Sequence, residues 1–368
     1  MSIETGSAAV HYVAEADAVA FATALFRSAG MPSEDAAIAG GALIRADLRG
    51  VNTHGLLRLP IYLERLQRGM VEARPTLEVE RIAPSAGSLD GRNGLGFVVG
   101  TRAMQGAIDI ARETGIGVVS ARRSNHFGMA SQYVLQALEA GLMAMVFTNS
   151  SRAMPPWGGR DPLLGTGPLA IGAPGRNGST MLLDMSPSVA ARGKIRRAAR
   201  LGAQIPLGYA LDADGRETTD PNEALKGVVL PLGGPKGSGL AIMMDIFGGV
   251  ISGAAFAGGV RDQYSNFSEP QDVGHFFLAM RPDLFIAEED YYRRMDELAE
   301  AVHANRLAHG FSRILLPGER EDVMEAELRS TGIPYDAAEL EPLQASAVAA
   351  GIAPLTTSAK PLGRASAD

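Results

Sequence analysis

The stretch G-L-G-F-V-V-G at residues 94–100 decides which fold this chain can have. Its glycines have nearly the spacing of a dinucleotide fingerprint, and a strand, a helix and a second strand are predicted behind it, at residues 116–120, 129–140 and 142–148. A working fingerprint leaves the end of an apolar strand, enters a helix and is followed by a strand-ending acid. Here D-G-R-N precedes the first glycine, and no such acid stands at the proper offset. A doubly wound Rossmann sheet is therefore not the expected fold.

Upstream, helices are predicted at residues 14–29 and 34–49, the first stopped by Gly30 and the second opened by Pro32 and Ser33. Leu56, Leu59, Leu63 and Leu66 recur at helical spacing in a third helix that ends at Gly69. Residues 70–100 are rich in Gly, Pro and Ser around a short alternating strand at 76–80, and a helix follows at 101–114. Downstream come a Gly- and Pro-dominated stretch at 158–175 around a strand at 169–173, a strand at 180–183, and a hairpin-like segment at 209–221. Strands at 274–280 and 313–316, charged helices at 287–308 and after 317, and a loose tail over 352–368 complete the chain. No internal repeat or separating linker is visible.

The 368 residues suffice to bury a large core, with 46% hydrophobic and 20% charged residues. A formal net charge of -7 argues against a general nucleic-acid or acidic-membrane binder. With no cysteine, disulfides, thiolate catalysis and Cys-ligated metals are excluded, and no histidine pair has the spacing of a preformed metal site. Residues 1–10 lack the pattern of a signal peptide, so the chain is read as cytoplasmic. The apolar run at 240–257 is interrupted by Asp245 and several glycines and is expected to be a buried core helix rather than a membrane span.

The densest chemistry is D-L-R-G-V-N-T-H-G-L-L-R at residues 47–58. It places Thr53 and His54 at a helix start with Arg58 one turn on, and Arg49 nearby: an imidazole and guanidinium suited to a small anion that exchanges a proton. A second imidazole, His126, stands in S-N-H-F-G after a predicted strand, where catalytic side chains are commonly carried. Asp184 at a strand end, Ser186 or Ser188 at a helix start, and Lys236 beginning a helix within glycines are all placed to hold a polar ligand. His275 falls within a strand and is read as a core residue, while His11, His303 and His309 are read as solvated. Together these residues fit a nicotinamide enzyme acting on a small carboxylate, with a histidine moving the oxygen-bound proton.

The ordered motifs A-D-L-R-G-V-N-T-H-G, S-N-H-F-G, G-T-G-P, L-D-M-S, R-G-K-I, G-G-P-K-G and P-G-E, spread from His11 to Tyr335, resemble those of the type 2 malate/L-lactate dehydrogenase family. Ureidoglycolate and sulfolactate dehydrogenases, diketogulonate reductase and the piperideine- and pyrroline-2-carboxylate reductases belong to that family. The resemblance implies an α/β protein of α+β character without a Rossmann sheet. Its NAD(P)-binding domain, residues 119–284, has a largely antiparallel sheet; a helical domain comprises 1–118 and 285–368, with the active site in the cleft between. It implies NAD or NADP as cofactor, a small carboxylate substrate, a homodimer, and no nucleic-acid or membrane partner. By matching motifs, His54 or His126 carries the proton. Ser150, Thr166, Asp184, Met185, Ser186, Lys236, Gly237, Gly318 and Glu319 match the cofactor-binding segments. Arg49 and Arg58 are the expected carboxylate clamps.

Thr53 stands where the family often has serine, Gly167 where asparagine is usual, and Pro235 and Ser238 where aromatic residues are frequent. These departures leave hydride transfer intact and put the substrate in question. Reduction of a 2-oxo acid is the leading expectation, reduction of a cyclic or N-alkyl imine carboxylate the alternative, and metabolite binding without turnover a third. The basic run at 192–200 fits either a 2'-phosphate contact favouring NADP or a solvated helix face.

Overall fold

The computed structural model describes residues 10–362; the readings of the extreme N-terminus and of residues 363–368 lie outside them. The chain divides into two compact units, Met1–Arg74 with Glu319–Asp368, and Pro75–Gly318. The expected boundary at 118/119 falls inside a strand of the second unit, and that at 284/285 also lies within this unit.

The first unit opens with β1 (Val10–Val13), α1 (Glu15–Ser28) and α2 (Ser33–Leu48). Two single 3-10 turns, Asn52–His54 and Leu56–Arg58, then lead into α3 (Leu59–Gln67). Ala18, Phe21, Ala22 and Leu25 form the buried stripe of α1. Against it Gly40 of α2 leaves so little room that a Cβ there would lie 2.8 Å from Thr23 Oγ1, so the helices pack at close range.

The second unit runs through β2 (Val79–Ala83), β3 (Ala86–Asp90), α4 (Gly96–Thr114), β4 (Ile116–Ser124), α5 (Ser131–Glu139) and β5 (Met143–Thr148). There follow β6 (Arg152–Met154), β7 (Leu164–Gly165), β8 (Leu169–Ala173), β9 (Met181–Met185) and α6 (Arg192–Arg200). A small lobe holds β10 (Ala210–Leu211), α7 (Pro221–Lys226), β11 (Val228–Val229) and α8 (Pro235–Asp245), which runs into a π-turn at Ile246–Val250. β12 (Val273–Met280) and α9 (Glu288–His303) end the unit. The chain then returns to the first unit as α10 (Glu319–Thr331), β13 (Ile333–Asp336), paired with β1, and α11 (Ala337–Ala349).

The seven-stranded sheet has the order β2-β3-β4-β12-β5-β8-β9, and only β3 and β4 run parallel. The expected antiparallel, non-Rossmann sheet is present, and its reason is specific. β4 and β5 never pair, because β12 inserts between them antiparallel to both. As the central strand, β12 is an almost unbroken apolar run whose first five residues are buried. Met104, Ala107, Ile108, Tyr133 and Val134 of α4 and α5 pack with Val119, Val146 and Phe277 of the sheet, each large apolar side chain contributing roughly 1.5–3 kcal/mol by leaving water.

Several expectations shift. The strand expected at 76–80 forms three residues later as β2, hydrogen-bonded to β3, and residues 313–316 form no strand. The tail is pinned at Ser358, which exchanges main-chain hydrogen bonds with Tyr12. The run at 240–257 is not a buried helix: Ile242, Met243, Ile246, Val250, Ile251 and Phe256 are exposed. Among the described residues, no helix is long and apolar enough to cross a membrane.

Candidate active site

In the first unit the His54 turn is fixed from below. Asp47, fully buried near the end of α2, accepts hydrogen bonds at Oδ2 from the Leu56 N–H at 2.7 Å and the Tyr335 hydroxyl at 2.7 Å. A Cβ at residue 55 would fall 1.8 Å from Asp47 Oδ1, so only glycine can follow His54. Burial, against the pull of these two hydrogen bonds, raises the Asp47 carboxyl to about 7. The His54 ring, half-buried, has Nδ1 3.1 Å from Thr53 Oγ1. Burial, with the Arg58 charge adding, lowers its pKa to about 3, so the imidazole stays neutral.

Arg49 does something else. Its buried guanidinium donates through Nη1 to Asp322 at 2.7 Å and Glu325 at 2.8 Å, tying the end of α2 to α10. The Asp322 side chain is 56% exposed, so the desolvated part of this tie is the Arg49–Glu325 pair; breaking a buried pair from one side costs about 3–5 kcal/mol. Arg49 Nη1, expected at a substrate carboxylate, is thus engaged by two carboxylates of the protein itself; adjacency in sequence gave no sign of these partners, 273 and 276 residues away.

In the second unit, strand register collects the other candidates. Ser124 pairs with Val273, Thr148 with His275, Phe147 with Leu169, and Leu169 with Met185. The ends of β4, β5 and β9 and the beginnings of β8 and β12 thus lie at one end of the sheet. That end carries the loops with His126, Ser150, Thr166 and Ser186.

The His126 loop is held on several sides. The His126 N–H donates to Gln271 Oε1 at 3.1 Å, and Nδ1 accepts the Gly128 N–H at 3.3 Å, which orients the ring. The Asn125 amide donates to Asn93 O, Asn93 Oδ1 and Gly94 O at 3.1, 2.9 and 2.9 Å. A Cβ on Gly96 would lie 2.2 Å from the Asn125 carbonyl oxygen and 2.4 Å from that of His126, while one on Gly100 would lie 2.6 Å from the Tyr133 ring. The glycines of the near-fingerprint thus let α4 approach the histidine loop and α5. Asn125 was visible only as a flank of His126, and Gln271, in a polar loop, gave no signal.

The expected cofactor residues also gather. The Ser150 hydroxyl is buried without a protein partner, pressed against Gly165, where a Cβ would lie 2.3 Å from its oxygen. Ser186 Oγ donates to the Thr166 carbonyl at 3.2 Å and shares a hydrogen bond with Ser188 at 2.9 Å. Gly237, in the first turn of α8 beside Lys236, would carry a Cβ 2.4 Å from the Pro187 carbonyl oxygen, so this turn lies against the chain just after Ser186. Gly318 sits beside β9, where Leu182 donates to the Pro317 carbonyl at 2.8 Å, and Glu319 begins α10. Asp184 is placed differently from a simple ligand: its Oδ2 accepts the Ser131 N–H at 2.8 Å and caps α5. An unpartnered buried hydroxyl among glycines, with a lysine at a helix start, fits a phosphate-bearing dinucleotide in kind.

A mixed, mainly antiparallel sheet with a histidine loop and hydroxyl-rich loops at one end is the architecture of a class of dehydrogenases that do without a Rossmann sheet. A model of the malate/L-lactate dehydrogenase family matches residues 13–344, and the chain belongs to that family; it is an oxidoreductase. L-sulfolactate dehydrogenase of Methanocaldococcus jannaschii is 40% identical over 293 residues, 80% of this chain and 84% of the relative. (2R)-3-sulfolactate dehydrogenase (NADP(+)) of Chromohalobacter salexigens is 37% identical over 90% of this chain and 97% of its own length. Ureidoglycolate dehydrogenase (NAD(+)) of Escherichia coli K12 is 32% identical over 83% and 87%. The solved structure of the M. jannaschii enzyme superposes with a TM-score of 0.87 at 35% identity, covering 93% of this chain and 98% of that one. That of delta1-piperideine-2-carboxylate reductase from Pseudomonas syringae pathovar tomato gives 0.82 at 29% identity, covering 91% and 99%.

Proposed function

We propose that the protein is an NAD(P)-dependent dehydrogenase that interconverts a small 2-oxo acid and its 2-hydroxy acid. The observation that carries this reading is the convergence at one sheet end of the oriented His126 ring with the Ser150, Thr166 and Ser186 loops. Relatives whose names carry NAD(+) and NADP(+) support the cofactor. When bound, the nicotinamide supplies or accepts the hydride. Ser150, Thr166, Met185, Ser186, Lys236, Gly237, Gly318 and Glu319 would hold the dinucleotide, with Lys236 the charge partner of a phosphate and Asp184 bracing the start of α5 beside them.

Each unit carries a candidate set. Arg58 holds the substrate carboxylate, a task its guanidinium fork suits. His126 exchanges the oxygen-bound proton through Nε2. His54, kept neutral at about 3, is a weak base near neutrality and serves with Thr53 as a hydrogen-bonding wall. Arrival of a carboxylate at Arg58 offsets the charge that pushes the His54 pKa down.

The decisive assay follows reduced-nicotinamide absorbance for NADH and NADPH against a panel of 2-oxo acids, with and without amines. Turnover with oxo acids alone is expected. The similarity to the piperideine carboxylate reductase structure favours a second reading, imine reduction, in which nitrogen receives the proton; turnover appearing only with amines or preformed cyclic imines selects it. Cofactor binding by calorimetry without any turnover leaves a metabolite-binding protein instead. Lys194, Arg196, Arg197 and Arg200 of α6 are exposed, so the ratio of kcat/KM for NADPH to NADH tests whether they meet a 2'-phosphate. The protein is further expected to act in the cytoplasm as a homodimer, and the exposed apolar row Ile242, Met243, Ile246 and Val250 supports such an association.

A further inference from the structure

His275 lies in the central strand with no exposed surface, a place where an imidazole is costly unless both nitrogens are used. Both are. Nδ1 is 2.7 Å from Thr148 Oγ1 at the end of β5, and Nε2 is 2.8 Å from Ser124 Oγ at the end of β4. The ring also lies flat on Phe127, with centroids 4.5 Å apart and planes 1° from parallel. Ser124 stands two residues before His126, and Thr148 two before Ser150.

The geometry points to His275 as a positioning residue: by binding both hydroxyls and stacking on Phe127, it sets the spacing between the His126 loop and the Ser150 loop. It thereby keeps the proton-exchanging ring in register with the cofactor-binding loop, a role that rests on the function proposed above.

The tie closes whichever nitrogen carries the hydrogen. With Nδ1 protonated, the ring donates to Thr148, whose hydrogen goes to the carbonyl of Asn149 at 3.1 Å or Gly274 at 3.2 Å, while Ser124 donates to Nε2. With Nε2 protonated, the ring donates to Ser124, which turns to the Asn125 carbonyl at 3.4 Å, and Thr148 donates to Nδ1. One hydrogen on the ring is enough. Burial lowers the His275 pKa to about 3, so the ring stays neutral and the tie does not switch across the physiological range. A phenylalanine keeps a flat ring that can stack on Phe127 but is bulkier and offers no nitrogen to either hydroxyl. It would leave each hydroxyl to its own carbonyl and remove the one side chain that both hydroxyls share, leaving only the main-chain pairing of β12 with β4 and β5.

The test uses the full chain with His275→Phe, His275→Gln, which retains a donor and an acceptor, and Thr148→Val, which cuts one arm of the tie. In hydrogen–deuterium exchange, His275→Phe is expected to speed exchange at least tenfold in residues 124–128 and 148–151 together, leaving α1 and α2 unchanged. His275→Gln should restore part of the protection, and Thr148→Val should loosen both segments rather than 148–151 alone. In the nicotinamide assay at 25 °C, on protein shown to be folded, His275→Phe should lower kcat at least tenfold, with part recovered by His275→Gln. Unchanged exchange, loosening confined to one segment in both His275→Phe and Thr148→Val, or loosened loops with wild-type kcat overturns the proposal. If the unaltered protein turns over no substrate and binds no dinucleotide, the proposed function fails, while the exchange experiment still decides whether His275 couples the two loops.

Discussion

At the scale of single residues, the two histidines that the sequence leaves as alternatives are separated by their surroundings. His54 is pushed down to about 3 by burial and Arg58, whereas the His126 loop is held by the Gln271 side chain and its ring accepts the Gly128 N–H. His126→Ala is expected to lower kcat by about 10²–10⁴ with dinucleotide affinity kept. His54→Ala should mainly raise KM for the acid, by about tenfold. If His54→Ala alone abolishes turnover, the two roles exchange. Asp47 offers a pH test. Its folded pKa of about 7 lies above the ordinary 3.8, so between these values the unfolded chain releases a proton that the folded one keeps, and stability falls as pH rises. His54 works in the opposite sense: below 6.5 the unfolded chain takes a proton the fold refuses, so stability is lost on acidification toward 3. In Asp47→Asn, which keeps an acceptor for the Leu56 N–H, the melting temperature relative to the unaltered protein should rise between pH 4 and 7 and level off above. A difference independent of pH would show that the carboxyl is not raised.

At the scale of elements, the sequence was legible wherever periodicity and punctuation were local. α1, α2, α5, β5, β8 and β12 lie within a few residues of where glycines, prolines and apolar spacing put them. Residues 94–100 could be rejected as a phosphate loop because strand and acid were missing, yet the actual use of their glycines depends on a histidine loop some thirty residues on. Gly96→Ala should displace that loop, since its Cβ overlaps two carbonyl oxygens; kcat/KM is expected to fall about a hundredfold. Gly41→Ala on α2, where nothing lies within 4 Å of the added carbon, should leave activity unchanged and slightly raise the melting temperature. Equal effects of both substitutions on activity would remove the loop-packing account. Similarly, Gly167 places its missing Cβ 2.1 Å from the Thr148 carbonyl, so the departure from the usual asparagine accompanies a close backbone approach that no motif could announce.

At the scale of the whole molecule, the family and the antiparallel character of the sheet were readable from ordered motifs, but the unit boundaries were not. Those depend on which distant strands pair, as when β13 closes on β1. The segment at 240–257 departs in the same way: its composition predicts a core helix, whereas Ile242, Met243, Ile246 and Val250 lie on the outside of α8 and the π-turn. Ile246→Lys is therefore expected to shift the mass measured by light scattering from dimer to monomer while leaving the second unit folded. A protein that is monomeric before substitution, or dimeric after it, refutes that face as the contact. The insertion of β12 also governs when the molecule can fold. During synthesis β4 and β5 emerge more than a hundred residues ahead of the strand that must separate them, and their facing edges stay unpaired until residue 280 has left the ribosome. Such late closure of a sheet is slow and exposes strand edges to other chains. The nascent protein is thus most vulnerable to aggregation just before its central strand is made, and chaperone demand should peak there.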